Sequence, residues 1–167
     1  MLIALITAAL AAAPTFSQPL LVDPRGQSAS LASAARGRRL VVVVMKGTWC
    51  SVCVGQLERL AALEAELEAL DARVVGLSVD PAADTAALSA RLPWAVYSDP
   101  SHAVVEALDL WRPARGHPQP GLIVYDRCGA ERARQSGRGP GWRPEPALLQ
   151  LLEQMAEAPA ACGARAT

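Results

Sequence analysis

Apolar residues fall along the chain in blocks of two kinds. Leu40 to Met45 (LVVVVM) is continuous and β-branched, the pattern of a strand buried on both faces. Arg73 to Val79 (RVVGLSV) reads the same way, and Trp94–Tyr97 and Leu122–Tyr125 are shorter strands. Between the first two lies Cys50 to Leu70, where Leu57, Leu60, Leu63, Leu67 and Leu70 recur every three or four residues. Glu58, Glu64 and Glu68 lie off that stripe, so the spacing predicts one amphipathic helix with two cysteines at its N-terminal end. Ala82 to Leu92 reads as a helix stopped by Pro93, and Asp99-Pro100-Ser101 caps another over His102–Leu110. Two prolines and a glycine make Trp111–Gln119 a loop. Asp126-Arg127-Cys128-Gly129 turns tightly into a hairpin partner near Glu131–Gln135, Gly137–Pro144 is loop, and Pro146–Ala156 is a last helix. Upstream, Leu20 to Gln27 looks like a short strand running into a Pro/Gly turn. Strands that alternate with helices and close with a hairpin and a helix predict an α/β sandwich around a central mixed sheet.

Composition narrows the function. A chain of 167 residues is one domain of ordinary size, and 51 % apolar with 19 % charged residues excludes disorder over most of it. Sixteen basic against sixteen acidic residues leave no net charge, hence no basic field for nucleic acid or an anionic membrane. Aromatics at 4 % argue against a stacking platform for single strands. Residues 1–13 (MLIALITAALAAA) are too short to span a bilayer but fit the apolar part of a secretory signal, with small residues for cleavage, although no basic residue follows Met1. The expectation is therefore export to the periplasm, a domain over residues 18–157, and a flexible tail over residues 158–167.

The chemistry-bearing motif is Trp49-Cys50-Ser51-Val52-Cys53. In a CxxC at a helix start, the first sulfur lies near the unpaired N–H groups of the first turn, which with the helix dipole stabilise a thiolate. The second sulfur sits one turn on, within disulfide reach, so the pair can cycle between dithiol and disulfide. Zinc sites use the same spacing but need two more ligands, and Cys128, Cys162, His102 and His117 offer no closely spaced pair. Cys128, in the hairpin turn, and Cys162, in the tail, are a candidate second pair in an oxidising compartment. Lys46, the only lysine, precedes the motif; it reads as a solvated loop side chain, with lowering of the Cys50 pKa as the alternative. Trp49 reads as a shield beside the thiol or as plain packing, and His102 as a surface residue.

The stretches VVVVMKGTWCSVC, RVVGLSVDP, YSDPSHAVVEALDLW and PGLIVYDRCG, in that order, resemble the redoxin branch of the thioredoxin-like superfamily, in particular the alkyl hydroperoxide reductase/thiol-specific antioxidant group. The resemblance implies a three-layer thioredoxin-like sandwich. It also implies a cis-proline at Pro120, lying against the active-site pair, with the backbone of Gln119 offered to an extended substrate. The chain departs from the peroxiredoxin pattern: Val43 stands at the proline position, Gly47 at the threonine position with Thr48 one residue off, and Pro120 where those proteins carry an arginine. Where thioredoxins have a buried aspartate, this chain has Val44. Copper-carrying relatives use a wider CxxxC with a later histidine, for which His117 is the candidate here. The expectation is thus a monomeric thiol–disulfide oxidoreductase, Cys50 attacking and Cys53 resolving, with Trp49, Gln119 and Pro120 docking the substrate. It needs no metal or dissociable cofactor, and electrons come from a partner thiol. The alternatives are a thiol peroxidase using Cys50, and a metal-carrying or protein-binding module without turnover.

Overall fold

The computed structural model describes residues 14–137 and 143–157. The expected signal peptide (residues 1–13), the tail (residues 158–167) and Cys162 lie outside the described residues.

The β-branched run becomes the central strand β3 (Arg39–Val44), all six residues buried. It pairs in parallel with β4 (Ala72–Ser78) and antiparallel with β8 (Gly121–Tyr125). Beyond β4 lie β5 (Ala95–Ser98), parallel, and the short antiparallel strands β1 (Leu21–Val22) and β2 (Ser28–Ala29); beyond β8 lies β9 (Glu131–Ser136), antiparallel. The seven-stranded sheet therefore runs β2-β1-β5-β4-β3-β8-β9. Because side chains alternate along a strand, β3 feeds two separate cores. Leu40, Val42 and Val44 pack with helices α2 (Leu31–Ala35) and α6 (Ala103–Ala107), Tyr125 and Phe16 of the short helix α1 (Pro14–Ser17). Val41, Val43 and Met45 pack with α3 (Ser51–Ala61), α4 (Glu64–Ala69), Leu88 of α5 (Ala82–Ser89) and α7 (Glu145–Glu157). This is the three-layer mixed-sheet sandwich that the residues and the resemblance both predict. Arg39 ties down the second layer: its buried guanidinium donates to the carbonyls of Leu70 and Met155, at the C-terminal ends of α4 and α7.

Three expectations need correction. The single helix expected over Cys50–Leu70 is two helices, because Leu63 leaves the helical range (φ −110°, ψ 20°) and its N–H bonds Leu60 in a tight turn before Leu67 resumes the ladder. The leucine stripe survives this break, since both helices present the same face to the sheet. Trp111–Gln119, expected as loop, contains a small hairpin, β6 (Trp111–Arg112) with β7 (His117–Pro118), joined by a single 3-10 turn. The packed body also begins upstream of residue 18, as Phe16 is buried with its ring 5.0 Å from that of Tyr125.

Candidate active site

The site forms where three segments meet at the carboxyl end of β3. The strand runs out at Val44, which pairs with Gly121 at the start of β8, so Pro120 lies beside the turn leading from Met45 to Cys50. Gly121 is required there by a close approach: a Cβ would sit 2.7 Å from the Gln135 carbonyl of the neighbouring strand.

Cys50 and Cys53 form a disulfide, with Cα atoms 5.3 Å apart. Cys50 is the N-cap of α3, and its Sγ accepts the Cys53 N–H at 3.3 Å. This is the arrangement that the spacing predicts, with one otherwise unpaired N–H of the first turn aimed at the attacking sulfur. When the bond opens, a thiolate at this helix tip gains about 1 kcal/mol from the dipole alone. The approach to Cys50 is fixed from outside the motif. The Thr48 N–H donates to Asp80 Oδ2, which also accepts the Ser78 hydroxyl at 3.0 Å. Asp80 thus pins the active-site turn to the end of β4. No local pattern points to it, because the contact spans 32 residues.

A cavity of about 220 Å³ opens on the disulfide, lined by both cysteines, Val43, Val44, Val52, Gln56, Pro120, Gln119, Lys46, Arg115 and Gly137. Lys46 is half-buried in its wall and not a freely solvated loop lysine. Gln56, fully buried one turn below Cys53, belongs to a polar cluster that links the active-site helix to α7: its amide donates to Glu145 Oε1 at 3.4 Å, and Arg59 bonds both Gln56 and Glu145. The second carboxylate oxygen of Glu145 is buried and has no hydrogen-bond partner among the described residues. At the place where thioredoxins have a buried aspartate, Val44 instead presents an aliphatic wall.

The docking residues fare differently from one another. Gln119 and Pro120 line the cavity, but no peptide bond among the described residues is cis, so the cis-proline expectation is corrected. Two backbone groups of this pair are already engaged within the chain. The Gln119 N–H donates to the Leu110 carbonyl at 2.7 Å, and the Pro120 carbonyl accepts the Gly137 N–H at 3.1 Å. Trp49 does not cover the thiol. It is 68 % exposed and lies over Gly47, with its indole edge-on to the His117 ring at 6.4 Å. A side chain at Gly47 would collide with that indole, so the threonine of the peroxiredoxin pattern does not fit this arrangement. His117 turns away from the cavity, with Nδ1 2.8 Å from the Pro118 carbonyl, while His102 stacks on Trp111 at 3.9 Å. Cys128 is disulfide-bonded in its turn, and its expected partner Cys162 lies outside the described residues.

The model of the AhpC/TSA family matches residues 10–132. The chain belongs to the AhpC/TSA family. Among curated proteins none matches significantly. Solved structures with the same fold include the bacterioferritin comigratory protein of Xanthomonas campestris, with TM-score 0.75 and 20 % identity over 89 % of this chain and 99 % of that one. Peroxidoxin BcpB from Mycobacterium tuberculosis gives TM-score 0.72 and 19 % identity, covering 81 % of this chain and 91 % of that one. The mitochondrial 2-cys peroxiredoxin of Plasmodium falciparum gives TM-score 0.70 and 14 % identity over 88 % and 93 %. This AhpC/TSA-family chain is thus a thioredoxin-like oxidoreductase whose cysteine pair is close enough to open and close as a disulfide. Among its described residues no helix is long and apolar enough to cross a membrane.

Proposed function

We propose that the protein is a thiol–disulfide oxidoreductase in cell redox homeostasis, with Cys50 as the attacking and Cys53 as the resolving sulfur. The observation that carries this is the cap: the Cys50 sulfur accepts the Cys53 N–H in the first turn of an eleven-residue helix and faces a cavity. In the reducing direction the Cys50 thiolate attacks a substrate disulfide, one substrate sulfur leaves, and the Cys53 thiolate then displaces the other from Cys50. Two electrons and two protons pass to the substrate as the Cys50–Cys53 bond forms. Trp49 and Val52, both within three residues of Cys50, are large exposed apolar side chains that suit partner docking. The test is reduction of a protein disulfide by the prereduced enzyme. Cys50→Ser is expected to lose turnover by at least about a hundredfold, and Cys53→Ser to accumulate a mixed disulfide on Cys50, visible by mass spectrometry. No turnover in the wild type would leave an inert module and sink the reading.

Family membership favours a second reading, a thiol peroxidase. There the Cys50 thiolate takes one peroxide oxygen to become a sulfenic acid, an alcohol or water leaves, and Cys53 condenses with it to release water. Trapping a sulfenic acid on Cys50 in Cys53→Ser after stoichiometric peroxide would select this route. We also infer export, from the apolar run of residues 1–13, and a monomer in solution. N-terminal sequencing of periplasmic protein should begin at Pro14; Met1 at the start would overturn cleavage.

A further inference from the structure

Positive charge gathers at the redox centre of a chain with no net charge. Lys46 and Arg115 both line the cavity on the disulfide, and no carboxylate lines it among the described residues. Elsewhere among the described residues Arg38, Arg59, Arg127, Arg132 and Arg134 are paired with carboxylates, while Arg39 and Arg73 donate to backbone carbonyls away from the cavity. Among the described residues neither Lys46 nor Arg115 has an acidic partner within ion-pair distance. The rest of the wall is aliphatic at Val43, Val44, Val52 and Pro120 and neutral but polar at Gln56 and Gln119. At about 220 Å³ the space is smaller than the roughly 300–1,000 Å³ of a pocket for a drug-sized ligand, so it suits a short side-chain-sized group.

We propose that this cavity is a binding site for small anionic thiols, short aliphatic mercapto-carboxylates, with Lys46 and Arg115 recognising the carboxylate while the sulfur meets Cys50. The inference rests on the thiol–disulfide reading and names the co-substrate class for it. A bound thiolate attacks Cys50 Sγ; the Cys50–Cys53 bond breaks, a mixed disulfide forms on Cys50, and Cys53 leaves as a thiolate that takes up a proton. A second thiolate attacks the ligand sulfur of the mixed disulfide, releasing the small disulfide and the Cys50 thiolate. Two electrons pass from two thiols to the protein pair. The two cations act by raising the local concentration of the anion and by orienting it, which adds to whatever the helix tip does for Cys50 itself.

The test is the rate at which mercaptopropionate, mercaptoethanol and cysteamine open the Cys50–Cys53 disulfide of the full chain. Rates are corrected for thiolate fraction and divided by each thiol's rate with a small unstructured disulfide. The anionic thiol should be favoured over the neutral one by about tenfold at low salt, with the cationic thiol slowest. The preference should shrink in high salt and fall towards unity in Lys46→Gln/Arg115→Gln, while Lys46→Arg keeps it. Equal normalised rates in the wild type, or the same preference in the double glutamine variant, would overturn the site while leaving the thiol–disulfide reading intact. If the preference appears only with acidic peptides bearing a cysteine, the ligand is a protein segment and the small-thiol assignment is wrong. Failure of all three thiols to open the bond would remove the thiol–disulfide reading, and this site with it.

Discussion

Two parallel strands of the sheet, β3 and β5 on either side of β4, end in the same device and use it for opposite purposes. After β3, Cys50 caps α3 by accepting the Cys53 N–H on sulfur at 3.3 Å. After β5, Asp99 caps α6 by accepting the Val104 and Val105 N–H groups on one carboxylate oxygen, both at 2.9 Å. Asp99 is fully buried, and its own N–H is tied to the Ser78 carbonyl on β4. The carboxylate cap has two short bonds and no chemistry, so it fixes the chain. The sulfur cap accepts one bond as a weak acceptor and faces a cavity, so its capping atom is also one that can change partners. A helix start thus becomes reactive when the capping atom is a nucleophile with space in front of it, and structural when the cap is a carboxylate sealed from solvent.

The sharpest way to break this comparison is to remove each cap in turn. Asp99→Ala leaves two buried N–H groups unsatisfied and should cost about 2–4 kcal/mol in denaturant unfolding, with thiol–disulfide activity per folded molecule unchanged. Cys50→Ser should do the reverse. Serine is itself a good N-cap, so stability should stay within about 0.5 kcal/mol of the reduced wild type while turnover disappears. If Asp99→Ala lowered activity per folded molecule, or Cys50→Ser unfolded the protein, the division between the two turns would be false. A smaller effect tests what holds the reactive turn still. Asp80→Ala frees the Thr48 N–H and should slow the attack of Cys50 roughly threefold to tenfold, with a stability loss of about 1 kcal/mol. An unchanged rate would mean that the helix start alone positions the sulfur.

What the residues reveal and what they hide follow from the range of the forces. Leu40–Val44 of β3 are legible because β-branched side chains on both faces leave few other options, whereas the buried Arg39 before them is not. Cys50 and Cys53 are legible because their spacing and the helix after them form one local pattern. The pause at Leu63 is hidden, since a stripe repeating every three or four residues reports which face is buried and not whether every turn is regular. Helix α2 is too short for periodicity, although its capping box, Ser30 with Ser33, was in plain view. Arg115 and Asp80 reach the site only through tertiary contacts, whereas Gln56 lies one turn after Cys53 on the same helix. The cis geometry expected at Pro120 was carried by resemblance alone; in this chain the N–H before it is already bonded to Leu110.

The finest distinction lies in the charge of the structural cap. Burial pushes the Asp99 carboxyl above its ordinary value of 3.8, against the opposing pull of the Val105 and Val104 N–H groups, a nearby His102 and the Ser101 hydroxyl. Between 3.8 and that raised value the folded chain holds the proton that the unfolded chain has released. Stability therefore falls as pH rises through this window, and the contribution of this group is fully present only below it. Asp99→Asn keeps an amide oxygen able to accept both N–H bonds and never ionises. It should match the wild type near pH 3.5 and exceed it at pH 7 by about 1 kcal/mol or less, read from denaturant midpoints at the two pH values. The opposite sign at pH 7 would mean that two backbone donors outweigh desolvation. The carboxylate would then be the better cap because it is charged, and the contrast with the sulfur cap would rest on charge rather than on burial.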